Sequence, residues 1–398
     1  MKKSNASLLV KGIAVSLCFI LLMPMISKGS ELQVGADRQA MYIPHLKGKR
    51  VGLFTNHTGL LSDGRHILDV LLANGIDVKC VFSPEHGFRG TADAGEHVGG
   101  SIDKSTGVKV MSLYGPTKNR SLVYVDSLDV VVTDIQDVGL RFYTYYCTML
   151  ELMNRAIEAD KEFVILDRPN PTSPMGVDGP VLDMKYSSGV GRLPIPVLHG
   201  MTLGELALMA SGQGWLVNGR KSRLEVIPCI GYTHATRYEL PVAPSPNLPN
   251  IHAIYLYPST CFFEATPVSL GRGTDMPFEV YGHPSMRGTR FEFTPRSRQG
   301  ATKPPLVNRV CKGVDLRGIQ ADTLISEGVN LSYLIDAYNR MGRPEKFFTS
   351  FFELLIGNDR VRAMITNGAD APTIKATWRD EVAAFEELRR PYLLYPLQ

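Results

Sequence analysis

The run Phe82-Ser83-Pro84-Glu85-His86-Gly87-Phe88-Arg89-Gly90 sets a carboxylate, an imidazole and a guanidinium close together on a stiff support. Pro84 fixes the chain, and Gly87 and Gly90 permit tight turning without a Cβ penalty. An acid beside a histidine in a partly apolar loop suits a proton donor with a raised pKa. Three further polar clusters resemble it: Asn56/His57, then Asp134/Gln136/Asp137/Arg141, then Asp167/Arg168/Asn170. Glu264 and Arg272 recur later, around Gly271-Arg272-Gly273-Thr274-Asp275.

Carboxylates of this kind fit glycosidic bond hydrolysis, which takes a general acid and a second group assisting at the anomeric side. Glu85, with His86 beside it, is the expected donor, and Asp134, Asp137 and Glu264 are candidates for the second role. Arg89, Arg141, Arg168 and Arg272 are more cations than a neutral sugar requires. Guanidinium pairs with carboxylate through two parallel hydrogen bonds, so an acidic substrate is implied. A metal site built from His57, Glu85, His86, Glu96 and His97 is the rival reading. It lacks any helix-borne spacing such as H-E-x-x-H, and no metal is expected. No glycine-rich nucleotide fingerprint and no G-x-S-x-G elbow occurs, so neither a nucleotide cofactor nor an α/β-hydrolase esterase is expected.

The elements that must hold these residues are short apolar strands. Arg50–Thr55, Val78–Phe82, Val108–Tyr114, Val130–Thr133, Phe163–Leu166 and Leu224–Ile230 alternate with helical patterns at His66–Ala73, Phe142–Ala159 and a helix opening at Thr202. Continuous apolar strands between helices predict a parallel sheet covered on both faces. Ligands of such sheets bind beyond the carboxyl ends of the strands, where the polar clusters fall. Thr202 with Glu205 reads as a capping box, a structural role. Residues 31–49 read as irregular, and Thr172–Pro196 as a long loop able to cover the crevice. Ile251–Phe263 is predicted helical despite Pro258. Beyond Pro277 the strands Phe278–Tyr281 and Arg290–Thr294 and the helices Tyr333–Met341 and Lys375–Arg390 suggest a smaller α+β domain. The expected division is a Rossmann-like catalytic domain over 31–276 and a smaller α+β domain over 277–398, with the site in the cleft between them.

The first thirty residues read as a signal peptide: Lys2, Lys3 and Lys11 precede an apolar run from Ile13 to Ile26, too short to span a bilayer comfortably. Leu17 before Cys18 stands where a lipoprotein signal takes a small residue. Export to the periplasm or the exterior is expected, with no membrane span after cleavage. Removing the segment's four lysines, unaccompanied by any acid, takes the formal net charge from +4 to zero. Nothing then points to nucleic acid. Cys80, Cys147, Cys229, Cys261 and Cys311 are odd in number and widely spaced, and read as buried free thiols, with a single disulfide as the alternative in an exported protein.

Asn56-His57-Thr58-Gly59, Ser83-Pro84-Glu85-His86-Gly87, Asp134-Ile135-Gln136-Asp137-Val138-Gly139 with Arg141-Phe142-Tyr143-Thr144-Tyr145, and Asp167-Arg168-Pro169-Asn170-Pro171 together resemble the bacterial exo-β-N-acetylmuramidase family. That family was formerly a domain of unknown function and forms glycoside hydrolase family 171. Glu264 through Thr274 is similar to its second signature. The resemblance runs from about Arg50 to Gln398 and implies release of N-acetylmuramic acid from the non-reducing end of peptidoglycan fragments. It implies Glu85 as acid catalyst, and neither metal nor nucleotide; the group assisting at the anomeric carbon stays open between Asp134, Asp137, Glu264 and the substrate's own acetamido group. Asn56, His57, Arg89, Gln136, Arg141, Tyr143, Arg168, Asn170, Arg272 and Thr274 are the expected substrate-binding residues. The lactyl carboxylate of muramic acid agrees with the arginine surplus. A metal-assisted cell-wall hydrolase and a non-catalytic muropeptide-binding protein are the alternatives.

Overall fold

The computed structural model describes residues 31–84, 87–88 and 100–398. Their strands are β1 (Arg50–Thr55), β2 (Asp77–Ser83), β3 (Ser101–Ile102), β4 (Lys109–Ser112), β5 (Val130–Asp134), β6 (Glu162–Leu166) and β7 (Arg223–Ile227), followed by β8 (Val280–His283), β9 (Phe291–Phe293) and β10 (Cys311–Asp315). The first seven form one sheet in the order β3-β4-β2-β1-β5-β6-β7, and the last three a small antiparallel sheet in the order β8-β10-β9. In the large sheet all pairs are parallel except β3 with β4. Taking the six parallel strands alone, the chain runs outward from β1 through β2 to β4, then returns to the other side of β1. This is the Rossmann order, and its switch point lies between β1 and β5.

Strand alternation sorts the core into two faces. Phe54, Cys80, Phe82, Val131, Phe163 and Ile165 point to one side; Leu53, Val81, Val130, Val132, Val164 and Leu166 point to the other. The second side is covered by helices α1 (Gln39–Leu46) and α2 (Ile67–Ala73) through Tyr42, Ile43, Leu46, Ile67, Leu68, Val70 and Leu71. After the short α3 (Lys118–Val123), the first side receives α4 (Tyr145–Glu158), α5 (Leu203–Gly212) and α6 (Ile251–Thr260). The same core continues into the C-terminal helices α7 (Ala321–Glu327), α8 (Ser332–Arg340), α9 (Phe351–Ile356), α10 (Arg360–Thr366), α11 (Ala371–Ala376) and α12 (Arg379–Arg389). Residues 31–398 thus cluster as one compact unit.

Several elements differ from the sequence reading for identifiable reasons. Residues 39–46 are helical despite Pro44, because Tyr42, Ile43 and Leu46 bury against the sheet. Helix α4 starts at Tyr145, three residues later than expected. Leu140 bridges Leu198, the Arg141 N–H donates to the Val197 carbonyl at 2.9 Å, and the Tyr143 N–H closes a turn on the Leu140 carbonyl, so this stretch is spent in a turn before the helix opens. The helix expected over Ile251–Phe263 tightens to a 3₁₀ turn from Cys261, just after Pro258. Phe278 lies at φ +65° with its N–H on the Leu270 carbonyl, so β8 begins only at Val280. The helix expected over 375–390 is two helices, α11 and α12. Trp378, fully buried between them, donates its indole N–H to Asp178 Oδ1 at 2.9 Å. The capping box is present: Glu205 N–H donates to Thr202 Oγ1, and Thr202 N–H to Glu205 Oε2. All five cysteines of residues 31–398 are free and buried.

Candidate active site

Glu85, His86 and Arg89, the centre of the sequence reading, lie outside the described residues, as do Glu96 and His97. The strand that carries them, β2, ends beside β1 and β4 at the carboxyl edge of the sheet, and Phe88 packs edge-on against His66 at 5.4 Å.

The polar clusters that follow β1, β5 and β6 lie at this same edge, but most of their side chains are bonded within the fold. Asp134 closes β5 and meets Arg168 in a two-pronged pair, with Nε to Oδ1 at 2.5 Å and Nη2 to Oδ2 at 2.9 Å. Both side chains are almost wholly buried, and Arg168 also donates to the Leu60 carbonyl. Arg141 is fully buried, and its guanidinium donates to the carbonyls of Pro180, Ile195 and Leu355. Burial pulls the guanidinium's pKa down to about 10. Gln136 donates to the Asp137 and Pro169 carbonyls, and Asn170 to the Met201 carbonyl. The Asn170 amide packs so tightly on Gly139 (φ +76°) that a Cβ there would lie 2.2 Å from it. Thr274 Oγ1 caps its own turn by donating to the Gly271 carbonyl. Arg141, Arg168, Gln136, Asn170 and Thr274 are therefore engaged within the fold.

Asp137 is enclosed as well: Oδ1 accepts from the Gly139 N–H at 2.7 Å. Burial pushes its carboxyl up to about 7, against the pull of the amides of Gly139, Val138 and Tyr146. Asp167, buried among Thr202, Tyr395 and Gly204, is pushed up to about 6. The sign follows from linkage: the folded state holds a proton that the unfolded carboxyl releases near pH 4. That contribution to stability is fully present below about pH 4 and is lost as pH rises through 7. Asp137→Asn therefore flattens the decline. Between pH 5 and pH 8 the wild-type urea midpoint falls further than the variant's; equal falls would mean Asp137 is solvated.

Phe142, Tyr143, Thr144 and Tyr145, which follow Arg141 in the chain, line a cavity of about 420 Å³. Tyr143 and Tyr145, rings 4.7 Å apart, form part of its wall and both donate to the Pro244 carbonyl, at 3.0 and 3.2 Å. Asn56, at the switch point, donates to the Tyr145 hydroxyl at 3.0 Å, and His57 Nε2 lies 2.8 Å from the Ala243 carbonyl. Also in the lining, Glu264 pairs with Arg272 at 2.5 Å, and the guanidinium lies over the Phe278 ring at 5.1 Å. Gly189, Val190 and Arg192 of the 172–196 segment complete the rim, as the loop reading anticipated. Of the expected residues that are described, Tyr143, Glu264 and Arg272 line the cavity.

Models of the N-terminal and C-terminal parts of the exo-β-N-acetylmuramidase NamZ match residues 51–252 and 255–395. This chain belongs to the NamZ family. A curated relative, the peptidoglycan β-N-acetylmuramidase NamZ of Bacillus subtilis (strain 168), is 36% identical over 387 residues, spanning 93% of this chain and 92% of that protein. Among solved structures, a DUF1343 family protein of Bacteroides fragilis NCTC 9343 superposes with a TM-score of 0.86 at 52% identity, covering 93% of this chain and all of the other. A second DUF1343 protein of that organism gives 0.73 at 26% identity, covering 92% of this chain and 99% of the other. The cavity of this NamZ family member draws on both matched parts, with Tyr143 from the first and Arg272 from the second.

Three charged cavity residues escaped the sequence reading: Lys118, Glu151 and Arg192. Each stands alone in an unremarkable stretch, and only the packing of α3, α4 and the 172–196 segment brings them together. Among the described residues no group of three or more His, Cys, Asp or Glu is gathered to hold a metal ion.

Proposed function

We propose that this protein is an exo-acting glycoside hydrolase that releases N-acetylmuramic acid from the non-reducing end of peptidoglycan fragments, with Glu85 as general acid. What carries the reading is the family match across both parts of the chain, together with the name of the Bacillus subtilis relative. The cavity supports it: its size suits a small ligand, and its lining combines aromatic residues with a few charged groups. Of the three carboxylates considered for the second role, Asp134 is locked to Arg168 and Asp137 is enclosed, whereas Glu264 lines the cavity. Glu264 is therefore our candidate to assist at the anomeric side. The division into a catalytic domain over 31–276 and a smaller domain over 277–398 remains our reading, the latter contributing Phe278 and Phe351 to the cavity. We also propose that residues 1–30 are a signal peptide and that the mature protein acts outside the cytoplasm. A mature N-terminus near Glu31 in a periplasmic or medium fraction would support this, and full-length protein in the cytosol would refute it.

The functional reading is tested with the disaccharide bearing N-acetylmuramic acid at its non-reducing end. Purified protein releases free N-acetylmuramic acid, and the rate is unchanged by a chelator. Loss of activity on chelation would favour a metal-assisted hydrolase, and binding without release a capture protein.

A further inference from the structure

With Arg141 and Arg168 engaged inside the fold, recognition of an acidic sugar falls to other cations. Glu151, in the second turn of α4, faces two of them. Lys118 Nζ lies 2.6 Å and Arg192 Nη2 2.9 Å from the same oxygen, Oε1. Lys118 opens α3, and Arg192 is anchored by its main-chain N–H, which donates to the Tyr146 hydroxyl at 3.0 Å. All three line the cavity described above. In the same lining, Arg272 and Glu264 balance each other one to one. Among the described residues, three cations of the lining thus face two carboxylates, and the surplus charge sits at Lys118 and Arg192.

We propose that Lys118 and Arg192 form a carboxylate-recognition subsite for the lactyl group of N-acetylmuramic acid. The assignment rests on the muramidase reading. An ammonium carries three donors and a guanidinium five, so sharing one oxygen of Glu151 leaves both cations with N–H groups to spare. Their side chains are 31% and 42% exposed, so in the free protein the spare donors stay hydrated at little cost. A second carboxylate, arriving with the sugar, replaces that water with charge-assisted hydrogen bonds and neutralises the surplus. N-acetylglucosamine lacks the lactyl group, and an amidated lactyl group lacks its charge. The subsite therefore separates N-acetylmuramic acid from both.

The test compares wild type, Lys118→Met, Arg192→Met and Lys118→Arg on two substrates: the disaccharide with free lactyl acid, and the same molecule with that acid converted to a primary amide. Each Met variant raises KM for the acid about tenfold, the scale of one hydrogen bond to a charged group, with a much smaller change in kcat. On the amide the KM values of wild type and Met variants converge, and Lys118→Arg keeps KM near wild type. Equal losses on both substrates, or an unchanged KM for the acid, would overturn the subsite. Calorimetric binding of N-acetylmuramic acid against N-acetylglucosamine reads the same preference without turnover. If wild type binds the acid preferentially, loses that preference in the Met variants and yet hydrolyses nothing, the subsite stands and the muramidase reading falls.

Discussion

Glu85→Gln lowers the release of N-acetylmuramic acid from the disaccharide by about 10²–10⁴-fold, the usual contribution of a general acid. The amide keeps the size and much of the hydrogen bonding of the carboxyl, but it has no proton to give to the departing sugar oxygen. The loss should depend on the leaving group. With an aryl glycoside whose phenolate departs unprotonated, the variant recovers most of the wild-type rate, because the step the acid assists is no longer difficult. A loss below about tenfold on the disaccharide, or an equal loss on both substrates, would move the proton donor away from the loop that follows β2.

Arg168→Met is expected to cost about 3–5 kcal/mol of folding stability, read from urea unfolding, because it strands the Asp134 carboxylate in the interior. The carboxylate has no exposure, and two of its hydrogen bonds come from this one guanidinium. Removing both charges together, in Asp134→Asn/Arg168→Met, recovers a good part of the loss, since the penalty comes from the unpaired charge. At temperatures where Arg168→Met stays folded, its activity per folded molecule remains near wild type. A stability loss under about 1 kcal/mol would mean that water reaches Asp134, contrary to its burial.

These two residues illustrate how far the sequence could be taken. Both belong to a polar cluster at a strand end, and the apolar runs that end there are legible because buried parallel strands need unbroken hydrophobic stretches. The motif does not tell whether a guanidinium faces a cavity or a carboxylate beneath it. Arg168 and Arg141 looked like ligands of an acidic substrate, and the fold engages one with Asp134 and the other with three carbonyls. Lys118 and Arg192 were silent for the opposite reason. They converge on Glu151 from positions 33 and 41 residues away, by tertiary packing alone. Local chemistry was read more securely: the Thr202–Glu205 box depends on neighbours three residues apart and appears as anticipated. The C-terminal helix break at Trp378 depends on Asp178, a partner two hundred residues distant, and helical periodicity carries no trace of it.

The protein is expected to cleave the bond next to N-acetylmuramic acid from the non-reducing end. Two isomeric disaccharides test it most directly, one with N-acetylmuramic acid at the non-reducing end and one with N-acetylglucosamine there. Each is incubated with purified protein, and the free sugars are followed by mass spectrometry. Equimolar N-acetylmuramic acid and N-acetylglucosamine are expected from the first isomer, and essentially nothing from the second. Comparable cleavage of both, or cleavage of the second alone, would contradict it.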